Sequence, residues 1–294
     1  MNLSKVSIIF PNWNGGKHPL ELLFSIEKLN YPKNKLEVIM VDNASSDGST
    51  LKTAQKFPKT KIIYLPQNLG FSKAVNIGIK ESIGDLIFIT NDDFLFSEES
   101  LKILVDYLLK FPKIGVISGR VLFKPPKSGV TNSAWKINFF TGRQIPIHPN
   151  EPTEADWVSG ACMLFKRSLI FKIGYFDEGF SPAYFEDVDF CFRAKNAGFK
   201  TIIYPKAIFY HLQEASISKM KYSRYLYLGQ KSKIRFILKH ANLVQIISFL
   251  LCQYLVAIPY RKIKSEYKNP LPEINALTYN LKDLYQILKS RKGV

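Results

Sequence analysis

A chain of 294 residues has room for one large α/β domain and an appendage, since domains run to roughly 100–200 residues. With 46% apolar and 22% charged residues and no low-complexity tract, it is neither disordered nor fibrous. Its formal net charge of +17 is uneven: from Ser216 onward 15 Lys/Arg stand against 3 Asp/Glu, a block that suits nucleic acid or an anionic membrane surface, or else forms a solvated tail.

Apolar runs of strand length at Val6–Phe10, Val38–Val41, Ile62–Leu65 and Leu86–Thr90 alternate with segments of helical length at Pro19–Leu29, Asp47–Phe57 and Ser72–Ser82. This is a βαβα pattern. Unbroken Val/Ile-rich strands predict a mostly parallel sheet covered on both faces, with site residues gathered at the strand ends. The apolar run before Pro11 is too short for the core of a secretory signal, which predicts a cytoplasmic protein. Ser97-Glu98-Glu99 opens a further helix that stops near Pro112, and a strand is expected over Ile114–Phe123. A stretch interrupted by Pro, Gly and Asn then runs to about Pro152. Val158–Phe165 reads as a strand, and Phe185–Ala197 as a helix closed by Gly198, a natural C-terminal cap.

Beyond His211 the pattern becomes basic and aromatic helix, followed by the charge-free Ala241–Pro259. That segment is near bilayer-crossing length, but Asn242, Gln245, Ser248 and Gln253 within it favour an interfacial or core-packed helix over a spanning one. Cys162, Cys191 and Cys252 are widely spaced with no C-x-x-C pair. They exclude a disulfide framework or a thiolate zinc site and are expected to be reduced and buried.

The first strand ends in Pro11-Asn12-Trp13-Asn14 and the second in Asp42-Asn43-Ala44-Ser45. An Asp carboxylate there can accept the ring N–H of a pyrimidine base, or Asp42 and Ser45 simply cap the following turn. Neither G-x-G-x-x-G after the first strand nor G-x-x-x-x-G-K-[ST] occurs. A bound diphosphate would therefore need a different partner for its charge, usually a divalent metal held by carboxylates. Thr90-Asn91-Asp92-Asp93, directly after an apolar strand, supplies such acids, the other reading being a turn with solvated carboxylates. Phe185-Glu186-Asp187-Val188-Asp189 opens a helix, where acids gain from the helix dipole and where an ionised carboxylate can also act as a base. His211 closes a strand-like run. Alone it reads as structural, and beside carboxylates its imidazole favours Mn²⁺ over Mg²⁺.

Taken together and in order, VSIIFPNWN, VIMVDNASSDGS, QNLGFSKAVNIGI, LIFITNDD, WVSGACMLFKR and FEDVDFCFRAKNAGF resemble the inverting family 2 glycosyltransferases of GT-A fold, and within them the rhamnosyltransferase-like branch. The resemblance runs from about Lys5 to His211. It implies an α/β, Rossmann-like nucleotide-diphospho-sugar transferase domain over residues 1–213, followed by a helical basic region over 214–294. By the family pattern, Pro11, Asn12, Asn14, Asp42, Asn43 and Asn68 line the nucleoside pocket, with Gly70, Lys73 and Asn76 nearby. Asn91-Asp92-Asp93 matches the D-x-D motif with Asn in first place. The match implies nucleotide contacts from Asn91 and Asp92, and a divalent metal, Mn²⁺ or Mg²⁺, on Asp93 and His211.

Asp187 matches the family's catalytic base, with Glu186 positioning base or acceptor, and Trp157, Ser159 and Gly160 match the acceptor wall. The implied reaction moves a sugar, from dTDP-rhamnose by preference or from a UDP-sugar, to a glycan or lipid-linked hydroxyl in surface polysaccharide synthesis. A catalytically inactive binder of nucleotide or glycan is the alternative. The basic C-terminal region is expected on the cytoplasmic membrane leaflet, with self-association a second use for it. Nucleic acid is not expected, because no known binding motif organises the cations and the acids would repel a phosphate backbone.

Overall fold

The computed structural model describes residues 3–124, 129–131, 133–212, 222–263 and 271–291. β1 (Val6–Asn12), α1 (His18–Glu27), β2 (Leu36–Asp42), α2 (Ser49–Lys56), β3 (Lys61–Tyr64), α3 (Phe71–Lys80) and β4 (Leu86–Thr90) follow the expected alternation. Val6, Ile8, Ile9 and Phe10 are fully buried, consistent with a strand covered on both faces. Leu22, Leu23 and Ile26 form the buried stripe of α1, the spacing of a helix packed on one side. At Gly78 in α3 a Cβ would collide with Ile9 Cγ2, so the absent side chain lets that helix approach β1 closely.

β5 (Phe94–Phe96), α4 (Ser100–Lys110) and β6 (Ile114–Phe123) come next, and the interrupted stretch holds β7 (Ala134–Asn138), β8 (Arg143–Pro146) and β9 (Thr153–Ala155). The strand expected over Val158–Phe165 is instead two, β10 (Trp157–Val158) and β11 (Cys162–Lys166). The chain turns between them, with the Cys162 N–H donating to the Ser159 carbonyl at 3.0 Å. Then follow α5 (Arg167–Ile173), α6 (Glu186–Asn196), β12 (Lys200–His211), α7 (Tyr222–His240), α8 (Leu243–Leu251), α9 (Ile258–Ile263), α10 (Leu271–Lys282) and α11 (Leu284–Arg291).

The main sheet has the order β3-β2-β1-β4-β11-β6-β12-β5, with β9 on β12. β3, β2, β1 and β4 are parallel neighbours, as are β6 and β12, while β11 runs antiparallel between β4 and β6. Phe88 lies 4.9 Å from Phe96 and 5.6 Å from Phe209, ring to ring, which ties β4, β5 and β12 into one core. The cysteines are free; Cys162 and Cys191 are buried as expected, but Cys252 is partly exposed.

The chain divides into two compact units, Met1–Trp135 with Pro146–Pro182 and Glu186–Glu214, and Lys136–Ile145 with Ala183–Phe185 and Ala215–Val294. The domain boundary expected at residues 213–214 lies outside the described residues. In the second unit α7 is ion-paired to the helix connection at Asp283 through Arg235, at 2.8 Å. Asn280 of α10 donates to the Lys231 carbonyl at 2.9 Å. Leu243–Tyr260 is long and apolar enough to cross a membrane by length and composition.

Candidate active site

The ends of β1 and β2 meet because their parallel register places Asn12 opposite Asp42. Asn12 is buried, and its Nδ2 lies 3.1 Å from Ser45, Ser49 and Thr50 hydroxyls and 3.4 Å from Asp42 Oδ1. It therefore braces the loop after β2. Asn14 has a left-handed backbone, φ 54°, which Asn adopts more readily than most residues. Its Oδ1 accepts from the Ser46 N–H at 2.8 Å. Asp42 Oδ1 accepts from the Ser45 N–H at 3.2 Å, the turn-capping arrangement.

Farther along, Asn43 Oδ1 accepts from the Leu69 N–H at 3.1 Å, and Asn68 Oδ1 from the Gly70 N–H at 2.9 Å. Gly70 combines φ +82° with Pro182 backbone atoms 2.8–2.9 Å from where a Cβ would lie, so only glycine fits without strain. Half-exposed Lys73 in α3 stands 3.9 Å from Glu178. Asn76 is buried and committed on both amide atoms to Phe176 backbone, at 2.9 and 3.0 Å. Of the residues matched to the nucleoside pocket, Asn14 and Asn68 are exposed and Pro11 partly so, whereas Asn12 and Asn76 hold loops in place.

The first acidic turn joins β4 to β5. Asp92 Oδ2 sits against Gly15, where a Cβ would collide with it. Burial first, and then the neighbouring Asp93 charge, push the Asp92 carboxyl up to about 7, because both disfavour the ionised form. β5 pairs antiparallel with β12, Phe94 opposite His211. That register brings His211 Nε2 within 2.9 Å of Asp93 Oδ2, with the Phe94 ring 4.7 Å from the imidazole. Asp93 Oδ1 is buried with no hydrogen-bond partner among the described residues. A buried carboxylate oxygen without a donor demands a counter-charge, and an oxygen-plus-imidazole set fits Mn²⁺ or Mg²⁺. No group of three His, Cys, Asp or Glu side chains gathers as a metal cage among the described residues, so Asp93 and His211 would leave most coordination positions to other oxygens.

The second acidic turn is placed by α6. Asp189 pairs with Arg193 at 2.7 Å in the interior, and Arg193 also donates to the carbonyls of Ile173 and Tyr175. Phe190 stacks on Phe176, 4.4 Å between centroids. Asp189 is thus an anchor. Tyr184 and Phe185, just before the helix, have φ of 78° and 69°, a region aromatic residues rarely occupy. Asp187 accepts from the Gly160 N–H at 2.9 Å and the Val188 N–H at 2.8 Å. Burial raises the Asp187 carboxyl against the pull of these donors. Glu186, whose Oε2 is buried without a partner among the described residues, is pushed well above the usual carboxylate range by burial and by Asp187.

The break between β10 and β11 puts Gly160 beside the Asp187 carboxylate, and it was not legible as a break in the apolar run. Trp157 is buried with its ring stacked on Trp135, 3.9 Å and 4° apart, so it supports the wall from behind. A cavity of about 260 Å³ is lined by Asn91, Ser159 and His211 among the expected residues, and by Phe94, Val121, Thr131, Ser133 and Ala161 besides. Thr131 and Ser133 come from the irregular stretch after β6, which carried no motif. Gly15 had the one readable signal, a glycine following a strand-end Asn-Trp-Asn.

An N-acetylglucosaminyl-diphospho-decaprenol L-rhamnosyltransferase of Mycobacterium tuberculosis is 26% identical over 235 residues, covering 69% of this chain and 75% of that protein. The crystal structure of Staphylococcus aureus TarS residues 1–349 with UDP-GlcNAc superposes with a TM-score of 0.66 at 20% identity, over 97% of this chain and 81% of that one. GalNAc-T7 with UDP, GalNAc and Mn²⁺ superposes with a TM-score of 0.68 at 14% identity, over 96% of this chain and 58% of that one. The fold is therefore of the GT-A type implied by the motifs. The family described as glycosyltransferase like family 2 matches residues 4–224, a span that takes in every strand of the main sheet and both acidic turns, so the chain belongs to that family and is a glycosyltransferase.

Proposed function

We propose that the chain is an inverting, divalent-metal-dependent transferase that moves a sugar from a nucleotide-diphosphate donor to a hydroxyl of a glycan or lipid-linked acceptor in surface polysaccharide synthesis. The observation that carries this reading is the pairing of two unlike carboxylate centres in one unit. Asp93, with a buried oxygen that has no partner among the described residues and with His211 beside it, suits a cation. Asp187, steadied by two backbone N–H groups, suits proton transfer. A bound metal would neutralise charge developing on the diphosphate leaving group. Asp187 takes the acceptor proton as the acceptor oxygen attacks the anomeric carbon, in one in-line displacement. Burial raises its proton affinity, which makes its ionised form a stronger base than a solvated Asp. Glu186, whose carboxyl is pushed well above the usual range by burial and by Asp187, positions its neighbour.

The loops after β1, β2 and β3 take the nucleoside, with Pro11, Asn14, Asp42, Asn43 and Asn68 toward the base and ribose and Asn91 and Asp92 toward the ribose and phosphates. Ser159 and Gly160 form the acceptor side. The name of the M. tuberculosis relative specifies an L-rhamnosyl group and a lipid-linked acceptor, which supports dTDP-rhamnose as donor here and UDP-sugars as the next choice. The basic region from Ser216 onward supports a peripheral place on the anionic cytoplasmic leaflet. A panel of dTDP-, UDP- and GDP-sugars assayed with Mn²⁺, Mg²⁺ or EDTA tests the donor and the metal together, and NMR of the product reads the anomeric configuration. Metal-dependent consumption of dTDP-rhamnose with inversion is the predicted result. Turnover in EDTA, or retention of configuration, contradicts it.

A further inference from the structure

Three of the four polar residues that set Ala241–Pro259 apart from a spanning helix form hydrogen bonds inside the second unit, and the fourth is buried there. Asn242 and Gln245 form a reciprocal capping box at the start of α8. The Ser248 hydroxyl donates to the Phe140 carbonyl at 3.1 Å, and Gln253 is buried. Between Ser248 and Gln253, Phe249 is fully buried over Gly142, where a Cβ would press on its ring. The Tyr254 hydroxyl donates to the Glu273 carbonyl at 3.1 Å. One face of this continuous helical stretch, with a π-helical segment at Cys252–Ala257, is therefore docked along its length.

The opposite face is Leu243, Ile247, Leu251 and Leu255, spaced by four, with Val244 and Val256 beside them; each is 50–70% exposed. A helix facing water places its polar residues outward. Here the outward residues of α8 and the turn after it are aliphatic, over a window of 18 residues of which only 11% lie inside the protein.

We infer that this stripe lies in the plane of an anionic bilayer, its aliphatic side chains at the boundary of headgroups and acyl chains. Docking on the protein rules out a helix surrounded by lipid, and an in-plane amphipathic helix is the arrangement that leaves one face on protein and one on lipid. Charge selects the occupant. The stripe is followed in sequence by Arg261, Lys262, Lys264 and Lys268, within a segment where 15 Lys/Arg face 3 Asp/Glu. A segment of that charge is repelled by a second copy of itself and drawn to anionic headgroups.

The inference deepens the membrane-facing part of the proposed function and does not depend on the chemistry at Asp93 and Asp187. It is tested on the full chain by flotation with vesicles of phosphatidylcholine alone or with phosphatidylglycerol. Binding is expected only with the anionic lipid, and Ile247→Asp with Leu251→Asp should weaken it at least tenfold while thermal unfolding and metal-dependent nucleotide binding stay unchanged. Leu251→Trp, which keeps the face apolar, should be quenched by brominated acyl chains. Equal flotation of the double variant, or no lipid quenching of Leu251→Trp, overturns the inference. So does a wild-type dimer in sedimentation velocity that the double variant converts to monomer, which would assign the stripe to self-contact. Loss of donor hydrolysis with vesicle binding intact would instead count against the catalytic reading alone.

Discussion

Asp93 and Asp187 carry the same functional group in different surroundings. Asp93 has a buried oxygen with no donor among the described residues, next to an imidazole, surroundings that favour a cation. Asp93→Ala should abolish metal-dependent nucleotide binding, and His211→Ala should weaken it, both read by titration calorimetry with and without Mn²⁺. Asp187 is held by two N–H donors and raised by burial. A base acts only when ionised, so kcat/KM should fall as pH drops through a value above the ordinary Asp range of about 3.9. The same shifts bear on stability. Both Glu186 and Asp187 bind protons more tightly when folded, so their contribution is greatest below the unfolded-state values and is lost as pH rises through the raised folded values. Denaturant unfolding across that window should show the decline, and Glu186→Gln should flatten it. Gly15 is the least conspicuous residue of the site. Gly15→Ala would push on the Asp92 carboxylate, at a cost of about 1–3 kcal/mol and with weaker nucleotide binding.

At the scale of elements, α6 and β5 do the positioning. α6 depends on the Asp189–Arg193 pair, whose side chains are 0% and 5% exposed. Arg193→Met would remove the cation paired with the buried Asp189 carboxylate and should cost several kcal/mol, on the order of 3, measured by urea unfolding. β5 was not legible beforehand, because three residues, Phe94-Leu95-Phe96, directly after an acidic turn look like the lead-in to a helix. Yet it is β5, paired with β12, that carries Asp93 to His211. The parallel strands β1, β2, β3 and β4 were legible, since apolar runs with helix-length spacing leave few alternatives. The antiparallel insertion of β11 was not, because a strand buried on both faces has the same apolar pattern in either direction. The turn at Ser159-Gly160-Ala161 was hidden for a related reason: Gly160 and Ala161 are small enough to pass within an apolar run, and their role appears only once α6 places Asp187 beside the Gly160 N–H.

Across the whole molecule, the first unit carries the acidic chemistry and the second carries much of the positive charge. A diphosphate donor with its cation should stabilise the folded chain by mass action, about 2.7 kcal/mol at a hundredfold excess over Kd. Thermal unfolding with dTDP or UDP should show this upward shift with Mn²⁺ and lose it in EDTA. The proposed division of labour between the two acidic turns is measured most directly by glycosyl transfer and nucleotide-diphosphate affinity in one variant, Asp187→Asn. Transfer should fall by about 10²–10⁴-fold with affinity for the nucleotide unchanged. Transfer at the wild-type rate would contradict that division.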